Sequence, residues 1–242
     1  TDGYAGFSCS GAATANIDMR GLEITRTPGG TPAYLLVQAT SACVVNATIE
    51  GNRIDGAPAG LNSGLIQLSA IGGTLNAYVA HNRIRRNDTT TTEGAGILVD
   101  ITNAGATGYL RVFANEIRGT FGRAGLFFSE GLFSSAAASY STVVVNNVVA
   151  CTGNPGLGTG IGFTVDSGSI DTTVVNNTST GCARGITALR WNTGTASSRV
   201  NGHVRNNLVT ASTQGLTFTP DLTPALVNDF NLLNAPSVAN VG

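Results

Sequence analysis

The residues of this 242-residue sequence best suited to chemistry are Tyr78 and Arg111, in "AYVAHN" and "LRVFAN", where each stands four residues before an asparagine. Elimination from an acidic sugar chain needs a uronate carboxylate neutralised and the neighbouring C5 proton removed by a base within hydrogen-bond reach. All 13 basic residues are arginine, so lysine cannot serve, and Arg111 beside Tyr78 is the best available pair. Glycoside hydrolysis would instead need paired carboxylates, and the chain contains no Asp-Asp or Asp-x-Asp. Glu50, Asp55, Asp100 and Glu116 are too scattered for a calcium site. The pattern thus permits a lyase, disfavours a hydrolase, and calls for no metal or other cofactor.

The remaining chemistry-bearing types add structure more than reactivity. His81 sits in the slot before Asn82, where a polar bend residue is expected, and His203 lies far from Tyr78. Arg190 and Trp191, in "LRWNTG", could stack on a sugar ring. Cys9, Cys43, Cys151 and Cys182 fit neither zinc nor redox-pair spacing. Cys151 and Cys182 follow comparable asparagines by four and five residues, which places them for a disulfide. Cys9 and Cys43 are placed to tie the N-terminal segment to the first turn. Two such bonds imply an oxidising compartment. Asn46, Asn87 and Asn176 head glycosylation sequons, usable only in a eukaryotic secretory pathway.

A formal net charge of −1 offers no attraction for nucleic acid, and no apolar run is long enough to span a membrane. With 42% hydrophobic residues, 32 glycines and 11% charged residues, the chain is a folded one. Its composition, free of lysine and rich in Ala, Gly and Thr, suggests a bacterial source.

The elements that must position Tyr78 and Arg111 come from a repeat. Asn52, Asn82, Asn115, Asn147, Asn177 and Asn207 are spaced by 30, 33, 32, 30 and 30 residues. After each comes a glycine opening an apolar strand, at Gly64, Gly96, Gly125, Gly160, Gly185 and Gly215. Apolar positions alternate with period two and the connectors are rich in Gly, Thr, Ser and Asn, which excludes helix. Some 30 residues is short for a four-stranded propeller blade.

Stacked one coil per repeat, these strands form long parallel sheets. The "VxNNxV" and "GIxF" runs resemble the repeats of right-handed parallel β-helices of the pectate-lyase-like superfold. That resemblance implies a right-handed parallel β-helix. The repeats themselves count about eight coils in an all-β solenoid over residues 1–242, with 1–18 an N-terminal cap segment and 228–242 a shortened last coil. The resemblance also implies that arginine can act as a base, as in related β-helix lyases. Function does not follow from the fold.

In such a coil the anchor asparagine points inward and passes amide hydrogen bonds to its counterparts above and below. Three residues upstream lie Ile49, Val79, Val112, Val144, Val174 and Val204, an aliphatic stack that must be core. Positions four and two upstream then face out. Glu50, Arg53, Tyr78, Arg83, Arg85, Arg111, Phe113 and Arg118 are read as one charged and aromatic surface suited to an acidic polysaccharide. Val143, Val145, Val148 and Val175 fall at outward positions of later coils and read as an interface. The connector beginning at Ser129 is the other candidate cover. The ends lack a helical cap, which favours self-association or a larger assembly. The resulting expectation is an extracellular or cell-surface, non-catalytic protein for assembly, adhesion or glycan binding, with a polysaccharide lyase as the alternative.

Overall fold

The computed structural model describes residues 4–25, 34–56, 63–86, 94–131, 136–152, 158–190, 198–223 and 225–239. The chain forms a parallel β-helix of about six turns, each of about 30 residues. The turn count is lower than the eight expected. The pattern counted rungs, of which the second face has eight, and the last turn contributes only the short strands Leu226–Asp229, Leu232–Asn234 and Ser237–Ala239.

Each turn crosses three faces. The first is built from strands such as Gly64–Ile71, Ala95–Thr102 and Ala124–Glu130. The second contains Thr14–Arg20, Val44–Glu50, Thr74–Ala80, Thr107–Phe113 and Ser139–Val145, and the third contains Arg53–Gly56, Arg83–Arg86 and Glu116–Gly119. Each strand pairs in parallel with its counterpart one coil away. The segment expected as an N-terminal cap carries Tyr4–Cys9 and Thr14–Arg20, which pair with the next coil in the same way. Further along, Thr178–Arg190 and Leu208–Phe218 run from the third face into the first, with a register shift around Cys182.

The second-face strands alternate as period two requires. Ile49, Val79, Val112, Val144, Val174 and Val204 are buried in one inward column, matched on the first face by Leu68, Val99, Phe128 and Phe163. Phe128 and Phe163 stack with ring centroids 5.0 Å apart. The glycines opening the first-face strands have a steric reason. A β-carbon at Gly96, Gly125 or Gly185 would overlap Ile117, Val149 or Val209 of the third face, so these glycines let the two faces converge.

The corner between second and third faces explains the asparagines. Asn52, Asn82, Asn115, Asn147, Asn177 and Asn207 form a buried ladder, continued by half-buried Asn231, in which each Nδ2 donates to the next Oδ1 at 2.8–3.0 Å. Each backbone N–H donates to that same oxygen. Nδ2 also donates back to the previous coil, as Asn147 does to the Val112 carbonyl at 2.9 Å. The residue before each anchor has a positive φ, including Asn146 (58°), Asn176 (57°) and Asn206 (55°). Asparagine tolerates this left-handed conformation better than most residues. In a doubled pair, therefore, the first asparagine turns the corner and the second joins the ladder.

Ser129 and Glu130 belong to a strand rather than opening a connector, and both are buried. The Glu130 carboxylate points inward and accepts hydrogen bonds from the backbone N–H groups of Ala138, Asp166, Ser167 and Gly168. It holds together two loops that would otherwise leave buried donors unsatisfied. Of the connector after it, residues 132–135 lie outside the described residues, as do Asn87 and Trp191. Disulfides join Cys9 to Cys43 and Cys151 to Cys182, with Cα separations of 6.0 and 4.8 Å.

Candidate functional site

The outer surface of the second face is a set of straight columns, because parallel pairing in register stacks each residue on its counterpart about 4.8 Å away. One column reads Asn16, Asn46, Asn76 and Tyr109; its neighbour reads Asp18, Thr48, Tyr78, Arg111, Val143 and Thr173. Tyr78 and Arg111 are thus direct neighbours on adjacent rungs. Beside them runs Glu50, Ala80, Phe113, Val145 and Val175.

Two contiguous depressions lie on these columns. The first, an open hollow of about 580 Å³, is lined by Asn16, Asp18, Asn46, Thr48, Asn76, Tyr78, Tyr109 and Arg111, together with Ile17, Ala47 and Ala77. Its floor carries an external amide ladder, Asn46 Nδ2 donating to Asn16 Oδ1 and Asn76 Nδ2 to Asn46 Oδ1, each at 3.0 Å. Arg111 Nε donates to the Tyr109 hydroxyl at 3.1 Å, and the guanidinium carbon lies 5.1 Å from that ring's centre. The second hollow, about 240 Å³, is lined by Tyr78, Arg111, Phe113, Val143 and Val145. Phe113 is braced edge-on by His81, centroids 5.6 Å apart.

The ion pairs show which charges are engaged. At one end of the first hollow, Arg20 binds Asp18 at 2.7 Å and Glu50 at 3.2 Å. Arg111 has no carboxylate partner among the described residues. Its charge faces the junction of the two hollows.

The eight residues read as one ligand surface fall on two faces. Glu50, Tyr78, Arg111 and Phe113 stand on the second, while Arg53, Arg83, Arg85 and Arg118 stand around the corner on the third. There Arg53 pairs with Glu23 and Asp55, and Glu116 bridges Arg83 and Arg118. The hydrogen bond that Arg53 donates to Asp55, then the carboxylate charges of Asp55 and Glu23, hold the Arg53 pKa above its ordinary value. The four valines are divided likewise: Val143, Val145 and Val175 are half-buried on the second face, and Val148 is exposed on the third. Arg190 is paired with Asp221 at 3.0 Å. Among the described residues no group of three or more His, Cys, Asp or Glu side chains is placed to hold a metal ion, and no helix is long and apolar enough to cross a membrane.

Sequence reasoning missed Tyr109 and the external amides. The signal was present: six residues before successive anchors stand Asn46, Asn76 and Tyr109, an outward position by the same period-two rule that placed Tyr78.

These features define a parallel β-helix with a polar hollow and an apolar hollow side by side on one outer face. No family model matches the sequence, and neither a curated protein nor a solved structure does. The architecture is that of a parallel β-helix, and no family assignment, pectate-lyase-like or other, follows from it.

Proposed function

We propose that this is an extracellular or cell-surface, non-catalytic β-helix that binds an acidic glycan along its second face. The observation that carries the reading is Arg111. Among the described residues it is the one cation lining the first hollow, it is oriented by Tyr109 rather than by a carboxylate, and amides suited to sugar hydroxyls stand beside it. Its planar fork suits a uronate or sulfate group, and aromatic rings at Tyr78 and Tyr109 suit sugar faces. The two disulfides are consistent with an oxidising location. Calorimetric titration with a galacturonate octamer tests the reading. Binding that Arg111→Gln weakens about tenfold or more, as loss of a charged hydrogen bond would, supports it; absence of binding to this and other acidic oligosaccharides overturns it.

Adjacency of Tyr78 and Arg111 also favours a second reading, polysaccharide elimination. The hollow is open to water and lines up one guanidinium, which would have to neutralise the carboxylate or act as base, not both. Binding without turnover is therefore the better fit. Appearance of unsaturated product on incubation with acidic polysaccharides, abolished by Tyr78→Phe, would reverse that preference.

A further inference from the structure

The apolar hollow needs its own account. On the columns it occupies, other coils carry residues that tolerate water: Thr48 and Thr173 align with Val143, and Glu50 and Arg205 with Val145. Beside Arg111 these positions turn aliphatic and aromatic at Phe113, Val143 and Val145, and the Val145 column stays aliphatic for one further coil, at Val175. The two hollows share Tyr78 and Arg111, so a ligand held by Arg111 in one reaches directly into the other.

We infer that the ligand is an acidic glycan bearing a small apolar substituent, such as an O-acetyl group. Phe113, Val143 and Val145 receive its methyl while Arg111 holds the neighbouring anion. This rests on the acidic-glycan reading and narrows it. An extended sugar chain lying along the helix axis meets amides over the early coils and Arg111 at the junction. It then meets an apolar recess one rung further, at the about 4.8 Å spacing of parallel strands. A bare uronate chain would leave that recess wetted and unfilled, whereas a methyl group displaces water from it at little polar cost. Val143 and Val145 thereby become part of a ligand site instead of a contact between proteins.

The test compares a galacturonate octamer with its O-acetylated form, titrated against the wild-type protein and a Val143→Thr/Val145→Ala double variant. Both substitutions install residues that the same columns hold elsewhere, at Thr48 and Ala80, so the strand should fold unchanged. The expected result is an affinity about tenfold higher for the acetylated chain, the scale of one methyl group in an apolar pocket. The double variant should lose that preference and bind the plain octamer as the wild type does. Equal binding of both chains, or a preference that survives the double substitution, overturns the inference and leaves the acidic-glycan reading standing. Failure of both chains to bind overturns the two together. Light scattering is run alongside: a wild-type dimer that the double variant converts to monomer makes the valines a protein interface and also overturns the inference.

Discussion

Arg111 is held by Tyr109: its Nε donates to the phenolic oxygen at 3.1 Å, and its guanidinium stands 5.1 Å from the centre of that ring. Both side chains come from one strand, two residues apart, so they project from the same face. The tyrosine limits how many directions the arginine samples and leaves its outer edge toward the hollow. Tyr109→Phe keeps the ring and removes the anchor. Affinity for a galacturonate octamer should fall about fivefold, the worth of one net hydrogen bond. Thermal stability should stay unchanged, because Tyr109 is 41% exposed.

The two residues of a doubled asparagine should respond very differently to alanine. Asn147 gives amide bonds to Asn177 Oδ1 and the Val112 and Val145 carbonyls, and its own Oδ1 accepts two from Asn115. Asn147→Ala strands several of these buried groups at about 1–3 kcal/mol each. Asn146→Ala loses only a preference for the left-handed conformation, about 1 kcal/mol, and Ala114 shows that alanine fits the equivalent corner. Urea unfolding of the two variants measures the contrast; equal costs would mean that the inward and outward assignments are wrong.

Removing the Cys151–Cys182 link, which spans 31 residues, should cost about 2–4 kcal/mol. A Cys151→Ser/Cys182→Ser variant unfolding at the same urea concentration as the wild type would contradict this. Mass spectrometry without reduction should recover both pairs bonded in protein from an oxidising compartment.

Tyr140 lies fully inside the core, and its hydroxyl has no hydrogen-bond partner among the described residues. Burial first, then the charges of Asp100 and Glu130, push its pKa well above 10.0. The folded protein therefore keeps a proton that the unfolded chain releases. Stability is fully present below pH about 10 and declines above it, by about 1.4 kcal/mol per pH unit, until the folded pKa is passed. Tyr140→Phe should lack this alkaline loss and be at least as stable at neutral pH, since it also removes an unsatisfied hydroxyl. Denaturant midpoints for the two proteins at pH 8 and above pH 10 decide it.

Much of the fold was legible because a solenoid repeats its constraints. Once the asparagine spacing was found, the same offset assigned Ile49, Val79, Val112, Val144, Val174 and Val204 inward, and all are buried. Cys151 and Cys182 could be paired because they recur near one place in successive coils. Other features broke the period and so left no repeated trace. Glu130 is a carboxylate set between Ile101 and Val165 in an inward column, explained by the loops folding over it. A bend at each anchor was expected, but linear order does not reveal its angle, so the arginines at 53, 83, 85 and 118, just beyond it, seemed to extend the Tyr78 surface when they stand on another face.

Coil intervals along the ladder vary from 24 to 33 residues, yet its amide bonds stay within 2.8–3.0 Å. Extra residues are accommodated in the connectors. The spine thus works as a ruler with uniform graduations, indifferent to what is hung between its marks. Duplicating one whole coil would lengthen the outer hollow by one strand spacing, about 4.8 Å, without disturbing any existing rung. Reach along a polymer could in this way change by addition of coils, while the chemistry at each rung changes by single substitutions.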